Sequence, residues 1–323
     1  MSKAVRMHAY GGPEVLQWED VPLPDPGPGE ALIRHEAVGL NYIDVYFRTG
    51  LYKVPGFPAV IGQEGAGVVT AVGPGVTSVS VGDRVAYAGP LGAYATNRVI
   101  AADRLIPVPA NIGCEIAASV MLQGLTAHYL LHRTFVVKPG TTILVHAAAG
   151  GVGLLLCQWA KHLGATVIGV VSTEAKADMA RENGATHVVV GHQGLAAEVK
   201  RITGGKLVPV VYDSVGRDTF QTSLDCLAPL GLMVSYGNSS GPVPPVDLAM
   251  LAAKGSLFVT RPSLATYTAT RPVLLGMAEE LFSALASGVL HASVNQRVPL
   301  SQAAEAHRAL EARQTTGSTV LIP

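Results

Sequence analysis

The chain has 323 residues, 49% hydrophobic and only 14% charged, with 23 Lys plus Arg set against 23 Asp plus Glu. That length suits two domains with a sizeable core in each, and the charge balance leaves no basic excess to attract a phosphate backbone, so nucleic acid is not an expected partner. The start, MSKAVRMHAYGG, lacks a signal-peptide h-region, and the most apolar later stretch, GLLLCQWAKHLGATVIGVV, is interrupted by Lys161 and His162, so neither secretion nor a membrane span is expected.

The first third is rich in Gly and Pro. Short apolar runs such as EALIRHEAVG, GAGVVTAVG and GDRVAYAG are separated by the turn residues of PLPDPGPGE and GPGVTSVSVGD, which predicts many short strands and a compact, barrel-like β-domain. Near Pro109 the texture changes: NIGCEIAASVMLQGLTAHYLLHRTF carries apolar residues at helical spacing, and KPGTTILVH then reads as a turn and a buried strand. The strand-like runs TTILVH, ATVIGVVS, HVVVG, VPVVYDSVG, GLMVSYGN and SLFVT then alternate with the helical runs VGLLLCQWAKHLG, EAKADMARENG, LAAEVKRITGG and DTFQTSLDCLAPL. Such alternation predicts an α/β domain built on a doubly wound parallel sheet. The final stretch, RPVLLGMAEELFSALASGVL and QRVPLSQAAEAHRALEARQTTGSTVLIP, predicts two more helices and a short terminal strand that return to the first domain. Cys114, Cys157 and Cys226 lie far apart among apolar neighbours and read as small buried hydrophobes of a reducing cytoplasm.

Between the strand TTILVH and the helix VGLLLCQWAKHLG lies HAAAGGVG, His146 to Gly153. Against the dinucleotide fingerprint GxGxxG, Ala148 takes the first glycine position while Gly150 and Gly153 keep the other two. Gly150 and Gly151 let the backbone approach a pyrophosphate, Gly153 allows close packing of helix on strand, and the helix start at Val152 offers unpaired N–H groups. The next strand ends in VVSTEAK, where an acid would hold the ribose 2′-OH of NAD. Here Ser172, Thr173 and Lys176 supply two hydroxyls and a cation, which suit the 2′-phosphate of NADPH. Glu174 is either a displaced ribose acid or a favourable residue in the first turn of a helix.

With these features together, the whole chain resembles the zinc-free quinone oxidoreductases, the zeta-crystallin-like branch of the medium-chain dehydrogenase/reductase superfamily, and in particular its bacterial members. The resemblance rests on AYGGPEVL, GLNYIDVYFRTGLY, GQEGAGVV, GDRVAY, AAAGGVGLLLCQWAK, VVYDSVGRDTF, GLMVSYGNSSG, GSLFVTRPSL and TGSTVLIP. It implies a GroES-like β-domain of residues 1–122 with 262–323, a Rossmann NADPH-binding domain of residues 123–261, and an active cleft between them. Carried onto this chain, the family's cofactor contacts fall on Asn41, Tyr42 and Tyr46, on Thr126 and Tyr129, on Gly150, Gly151, Val152 and Gly153, and on Ser172 and Lys176. They continue through Ser214, Tyr236, Gly237, Asn238, Ser239, Val259, Thr260, Arg261 and Arg313. Asp213 reads alternatively as the cap of a strand end, Arg261 as a structural pair and Tyr129 as a packed core residue. Two positions depart from the pattern: Gly191 stands where relatives often place an aromatic residue over the adenine, with His192 as the available substitute, and Thr141 replaces a longer polar residue at a turn.

A zinc alcohol dehydrogenase needs a cysteine where GLNYID has Asn41 and a histidine where GQEGAG has Gln63, and no other cysteine group here rebuilds a site. No metal is therefore expected. Zinc activates alcohols and ordinary carbonyls, whereas a quinone is already electron-poor, so positioning and hydrogen bonding can serve in its place. Tyr46 and Tyr52 are the candidate hydrogen-bonding groups, Asn41 the orienting one and Arg48 a weaker choice; protonation of the product by water is the alternative. The expected function is NADPH-dependent quinone reduction, in the cytoplasm, by a homodimer joined along the strand near SLFVT. The alternatives are an enone or alkenal double-bond reductase, an alcohol dehydrogenase, and a non-catalytic, crystallin-like NADPH-binding protein.

Overall fold

The structure, a computed structural model, describes residues 2–323. In chain order its strands are β1 (Ser2–Met7), β2 (Gln17–Val21), β3 (Glu30–Leu40), β4 (Ala59–Val60), β5 (Glu64–Val72), β6 (Arg84–Ala88), β7 (Asn97–Ala101), β8 (Ile106–Pro107), β9 (Thr142–His146), β10 (Thr166–Val171), β11 (His187–Val190), β12 (Val208–Asp213), β13 (Leu227–Ser235), β14 (Phe258–Thr260), β15 (Val294–Pro299) and β16 (Ser318–Ile322). Its helices are α1 (Tyr42–Thr49), α2 (Cys114–Tyr129), α3 (Gly151–His162), α4 (Glu174–Glu182), α5 (Leu195–Ile202), α6 (Phe220–Asp225), α7 (Leu248–Ala253), α8 (Leu264–Tyr267), α9 (Arg271–Ala286) and α10 (Ala303–Glu311). Two compact units result. One holds the residues up to Leu125 with Thr268–Ala286 and Ala292–Pro323, the other Thr126–Tyr267 with Ser287–His291.

In the first unit β3 is the organising strand. Ala31, Ile33, His35 and Ala37 point inward while Arg34 and Glu36 face out, the period of two that a sheet with one wet face imposes. Its last residues, Ala37 to Leu40, are all buried. β3 pairs antiparallel with β5, β7 and β16, in a seven-stranded sheet that runs β15-β16-β3-β5-β6-β8 with β7 on β3. A smaller sheet, β2-β1-β4, completes the unit, and the side chains between, among them Ile33, Val38, Ile61, Tyr87, Tyr94 and Leu321, form its core. The chain leaves β3 at Asn41, which is extended (φ −130°, ψ 154°) and N-caps α1, while Gly50 ends that helix at φ 79°, a left-handed turn natural to glycine.

β15 is the element the residue pattern does not reveal. VNQRVP alternates half-buried with exposed residues at the sheet edge, and without an apolar run it offers no strand signal until β16 pairs with it.

The second unit is a six-stranded, all-parallel sheet in the order β11-β10-β9-β12-β13-β14. Helices cover it on both sides, so β9, β10 and β12 are buried almost throughout and read as continuous apolar runs. Strand order reverses between β9 and β12. In such sheets ligands bind beyond the C-terminal strand ends at that point, which here are His146 and Asp213.

Candidate active site

The loop leaving β9 is built for close backbone approach. Ala147 has φ 51°, Gly150 N donates to Ala147 O at 2.8 Å, and Leu154 N closes the first turn of α3 on Gly150 O at 2.8 Å. A Cβ on Gly153 would run into the Ala147 carbonyl and lie 2.9 Å from the Ala148 Cα, so no other residue fits there. Ala148, the departure from the fingerprint, is fully buried. Its methyl has room because residue 169 on β10 is glycine, whose added Cβ would sit 2.9 Å from it. The 12-residue α3 carries no side-chain cap on its first N–H groups, which leaves them to an anion.

Beside this loop, His146 and Asp213 are joined across the switch point. Ser223 Oγ donates to Asp213 Oδ2 at 2.8 Å and lies 2.9 Å from His146 Nε2. The serine hydrogen being spent on the carboxylate, the histidine carries its proton on Nε2. Burial holds the ring down to about 4, so it stays neutral. Asp213 also accepts from Thr219 Oγ1 and from the N–H groups of Val215 and Gly216. It is therefore the anchor of the turn carrying Ser214, more than the strand-end cap that is one reading of its position.

At the end of β10, Ser172 and Thr173 are exposed and Lys176 is half-buried. Thr173 is the N-cap of α4, accepting from Lys176 N at 3.4 Å, and its own O–H hydrogen remains able to donate. Glu174 begins the helix and is exposed, as the first-turn reading requires. Gly191 has φ 83° and donates to Val171 O, a left-handed conformation that suits glycine rather than an aromatic residue. The His192 ring lies 5.6 Å from that of His146. Thr141 shapes only its turn, accepting from Lys138 N.

Most of the remaining candidates of this unit form one polar group. Tyr129 stacks on Tyr267 (4.4 Å between centroids, 9° between planes) and is hydrogen-bonded to Thr126. Tyr236 is hydrogen-bonded to Ser214, and burial pushes both phenols well up. Ser239 N donates to Ser214 O, while Gly237 packs so tightly that a Cβ would lie 2.8 Å from the Ser214 Cα. Arg261 donates to Ser235 O at 2.6 Å and to Gly237 O at 3.4 Å, bracing the Tyr236–Ser239 segment from below. Val259 and Thr260 lie on the edge strand β14.

In the first unit the structure brings Tyr42, Tyr46 and Tyr52 together, while Asn41, next to Tyr42 at the start of α1, turns its side chain to Glu64 and Gln123. The rings of Tyr42 and Tyr46 are 5.5 Å apart, those of Tyr46 and Tyr52 5.3 Å, and Phe47 meets Tyr52 at 5.6 Å, all edge to face. Arg313, with φ 58°, lies near enough to lower the Tyr42 phenol against the raising effects of burial and Glu311. Arg48 requires a correction. It is 1% exposed and donates to both Glu311 oxygens at 2.8 Å, to Gly11 O at 3.1 Å and to His307 Nδ1 at 3.1 Å. A guanidinium spent this way is a structural strut and not a proton donor. An open cavity of about 450 Å³ in this unit, between Ile106, Pro109, Leu275 and Phe282, contains none of the candidates.

Sequence reasoning passed over the residue beside Gln63. Gln63 itself is tied to Gly89 O at 2.5 Å, a structural bond. Glu64 is fully buried and faces the active-site candidate: Asn41 Nδ2 donates to its Oε2 at 2.6 Å, and Leu122 N donates to Oε1 at 2.7 Å. Burial pushes its carboxyl up to about 8 and that of Asp44, which accepts from Asn41 N and Tyr94 OH, up to about 7. The legible signal is a lone acid, next to one glutamine, in an otherwise apolar and glycine-rich run, VIGQEGAGVV. Among the described residues, no group of three His, Cys, Asp or Glu side chains could hold a metal ion.

The two units correspond to two family models: residues 27–110 match the alcohol dehydrogenase GroES-like domain and residues 151–271 the zinc-binding dehydrogenase. Together these define a medium-chain dehydrogenase/reductase. A quinone oxidoreductase of Pseudomonas aeruginosa is 54% identical, with 100% of both chains covered, and a 2-haloacrylate reductase of Burkholderia sp is 47% identical over 100% of this chain and 99% of the relative. The crystal structure of Escherichia coli quinone oxidoreductase complexed with NADPH superposes with a TM-score of 0.97 at 50% identity, covering 99% of this chain and 100% of that one. The chain belongs to the quinone oxidoreductases of the medium-chain dehydrogenase/reductase superfamily.

Proposed function

We propose that this protein reduces quinones at the expense of NADPH, without a metal. The observation that carries the reading is the loop at His146 to Gly153. A left-handed Ala147, a glycine cradle at Gly153 that a Cβ would fill, and an uncapped helix start fit a pyrophosphate. In this reading Gly150, Gly151, Val152 and Gly153 hold the diphosphate, and Ser172 and Lys176, with the free O–H of Thr173, take the 2′-phosphate. Thr126, Tyr129, Ser214, Tyr236, Gly237, Asn238, Ser239, Val259, Thr260 and Arg261 are the further cofactor contacts of the second unit, and Asn41, Tyr42, Tyr46 and Arg313 those of the first.

When bound, NADPH supplies the hydride. The protein's own task is to align a flat acceptor, shield it from water and stabilise the charge that arrives on its oxygen. The edge-to-face tyrosines offer an uncharged aromatic shelf with phenol donors. A quinone needs no more activation than this, because its product anion is delocalised over the ring and can be protonated by water. Tyr46→Phe and Tyr52→Phe should each lower kcat by less than about tenfold, or ~1.4 kcal/mol of barrier.

The direct test follows NADPH absorbance with benzoquinone, naphthoquinone and enone acceptors, with NADH in parallel. Quinone-dependent oxidation that favours NADPH is expected; NADPH binding without turnover on any quinone would refute the reading and leave a non-catalytic binding protein. The 47% identity to a 2-haloacrylate reductase supports a second activity on electron-poor double bonds, which the enone arm measures.

We also propose a homodimer formed along β14. This edge strand exposes Phe258 (58%) and Val259 (40%), an apolar edge that pairing would cover; sedimentation showing only monomer at micromolar concentration would overturn it. The three cysteines are free and buried, which supports a cytoplasmic location, and no helix of the described residues is long and apolar enough to cross a membrane. Cell fractionation tests the location.

A further inference from the structure

The hydrogen bonds behind Asn41 all run one way. Ser318 Oγ donates to Gln123 Oε1 at 3.1 Å, Gln123 Nε2 donates to Asn41 Oδ1 at 3.3 Å, and Asn41 Nδ2 donates to Glu64 Oε2 at 2.6 Å. All four side chains are less than 10% exposed. The serine hydrogen is shared with Ser119 O at 3.2 Å. At the far end Glu64 Oε1 accepts from Leu122 N, a main-chain donor inside α2 that cannot turn round.

Capping α1 asks only for the oxygen of Asn41. Nothing in that task calls for a fully buried carboxyl on its nitrogen, and burying one is unfavourable. The fold nevertheless makes room for it: a Cβ on Gly39 would strike the Glu64 carboxyl and the Ala118 carbonyl. Both carboxyl oxygens face donors whether or not the group carries a proton.

We propose that Glu64 is a positioning residue that sets the direction of this chain and thereby the orientation of the Asn41 amide. With one Nδ2–H committed to Glu64 and Oδ1 committed to Gln123 and to the cap of α1, the second N–H is offered to the reactants in a single arrangement. The proposal rests on the reading of Asn41 as part of the quinone-reducing site.

Glutamine at this position shows what the carboxyl provides. Its volume is nearly the same, but it has one oxygen where glutamate has two. Leu122 N–H takes that oxygen, so the new amide nitrogen confronts the nitrogen of Asn41. Asn41 must turn over, Gln123 must follow, and Ser318 must accept where it donated. A one-atom change reverses three hydrogen bonds without emptying the core.

The test compares Glu64→Gln, the closer variant in shape, with Glu64→Asp, the closer one in chemistry, in the full-length protein. For Glu64→Gln we expect at least a tenfold loss of kcat with naphthoquinone, while the NADPH dissociation constant and the quinone KM stay within about threefold. The side-chain NH₂ resonances of Asn41, identified by their disappearance in Asn41→Asp, should shift in Glu64→Gln and move less in Glu64→Asp. Turnover should be at least fivefold higher for the aspartate than for the glutamine. Retained kcat in Glu64→Gln, an unmoved Asn41 amide, or the reverse order of the two variants would overturn the proposal. A wild-type protein that oxidises NADPH with no quinone would instead overturn the function it rests on, while the amide resonances would still decide whether Glu64 orients Asn41.

Discussion

Replacing Arg48 with methionine separates a structural strut from a catalytic group. The side chain is 1% exposed and makes four hydrogen bonds, two of them to Glu311 on α10, 263 residues away. Glu311 is 32% exposed, so water can recover that partner and the ion pair must be discounted. Gly11 O and His307 are less fortunate, because they lose a charged donor in buried surroundings, worth about 1 to 1.5 kcal/mol each. With a discounted contribution of about 1 kcal/mol from Glu311 and methionine filling much of the volume, the loss comes to about 3 kcal/mol.

For a folding unit of this size that loss lowers Tm by about 6 to 12 °C, read by differential scanning calorimetry. The ordering of the neighbours should loosen as well. Because Arg48 only donates, His307 accepts at Nδ1 and its Nε2–H points to Tyr94 OH at 2.9 Å, which in turn donates to Asp44 Oδ2 at 3.1 Å. Burial and Arg48 hold His307 down to about 3, so this relay carries no titrating histidine near neutrality. Below the melting transition, kcat with naphthoquinone should stay within about threefold of wild type. A Tm change under about 2 °C, or a kcat loss above tenfold at unchanged Tm, would show that Arg48 works in the reaction after all.

Gly153→Ala should raise the NADPH dissociation constant at least about tenfold, ~1.4 kcal/mol, measured by nucleotide fluorescence, because its methyl displaces the Ala147–Ala148 backbone; unchanged affinity would mean the cradle holds no diphosphate. Lys176→Ala should weaken NADPH about tenfold and NADH less than twofold, and equal losses for both would remove Lys176 from the 2′-phosphate. The buried carboxyls predict an unusual pH dependence. Glu64 is raised to about 8 and Asp44 to about 7 by burial, so the folded chain binds these protons more tightly than the unfolded one. Their stabilising contribution is full below about pH 4 and is lost as pH rises through about 7 to 8. Tm should therefore fall between pH 5 and pH 8, and fall less in Asp44→Asn; a rising Tm over that range would contradict the burial of these groups as acids.

What the amino-acid pattern reveals here is what depends on neighbours in sequence. Buried parallel strands announce themselves as apolar runs, and the turn after β9 as a cluster of glycines before a helix. The tyrosines of α1 fall within one short segment, so their proximity follows from helical spacing. What stays hidden depends on residues far apart in the chain. Ala148 is tolerated only because position 169 is glycine, Arg48 is neutralised from α10, and β15 becomes a strand only when β16 lies beside it. Each is a property of a pair, and one member alone carries no sign of it.

GQEGAG is the sharpest instance. Gln63 attracts attention as the absent histidine, yet its amide is tied to a main-chain carbonyl. The informative residue is the next one. Asn41 directs an N–H at Glu64, so the two positions are joined by a hydrogen bond in which each satisfies the other. An amide held by a buried carboxyl is a neutral, rigid hydrogen-bonding group. Such a group suits an acceptor that needs to be oriented more than activated, which is the chemical difference between a quinone and an alcohol. Substituting glutamine for Glu64 keeps the core filled and reverses the direction of the hydrogen-bond chain that ends on that amide, so the loss of turnover measures the chain's direction rather than lost packing.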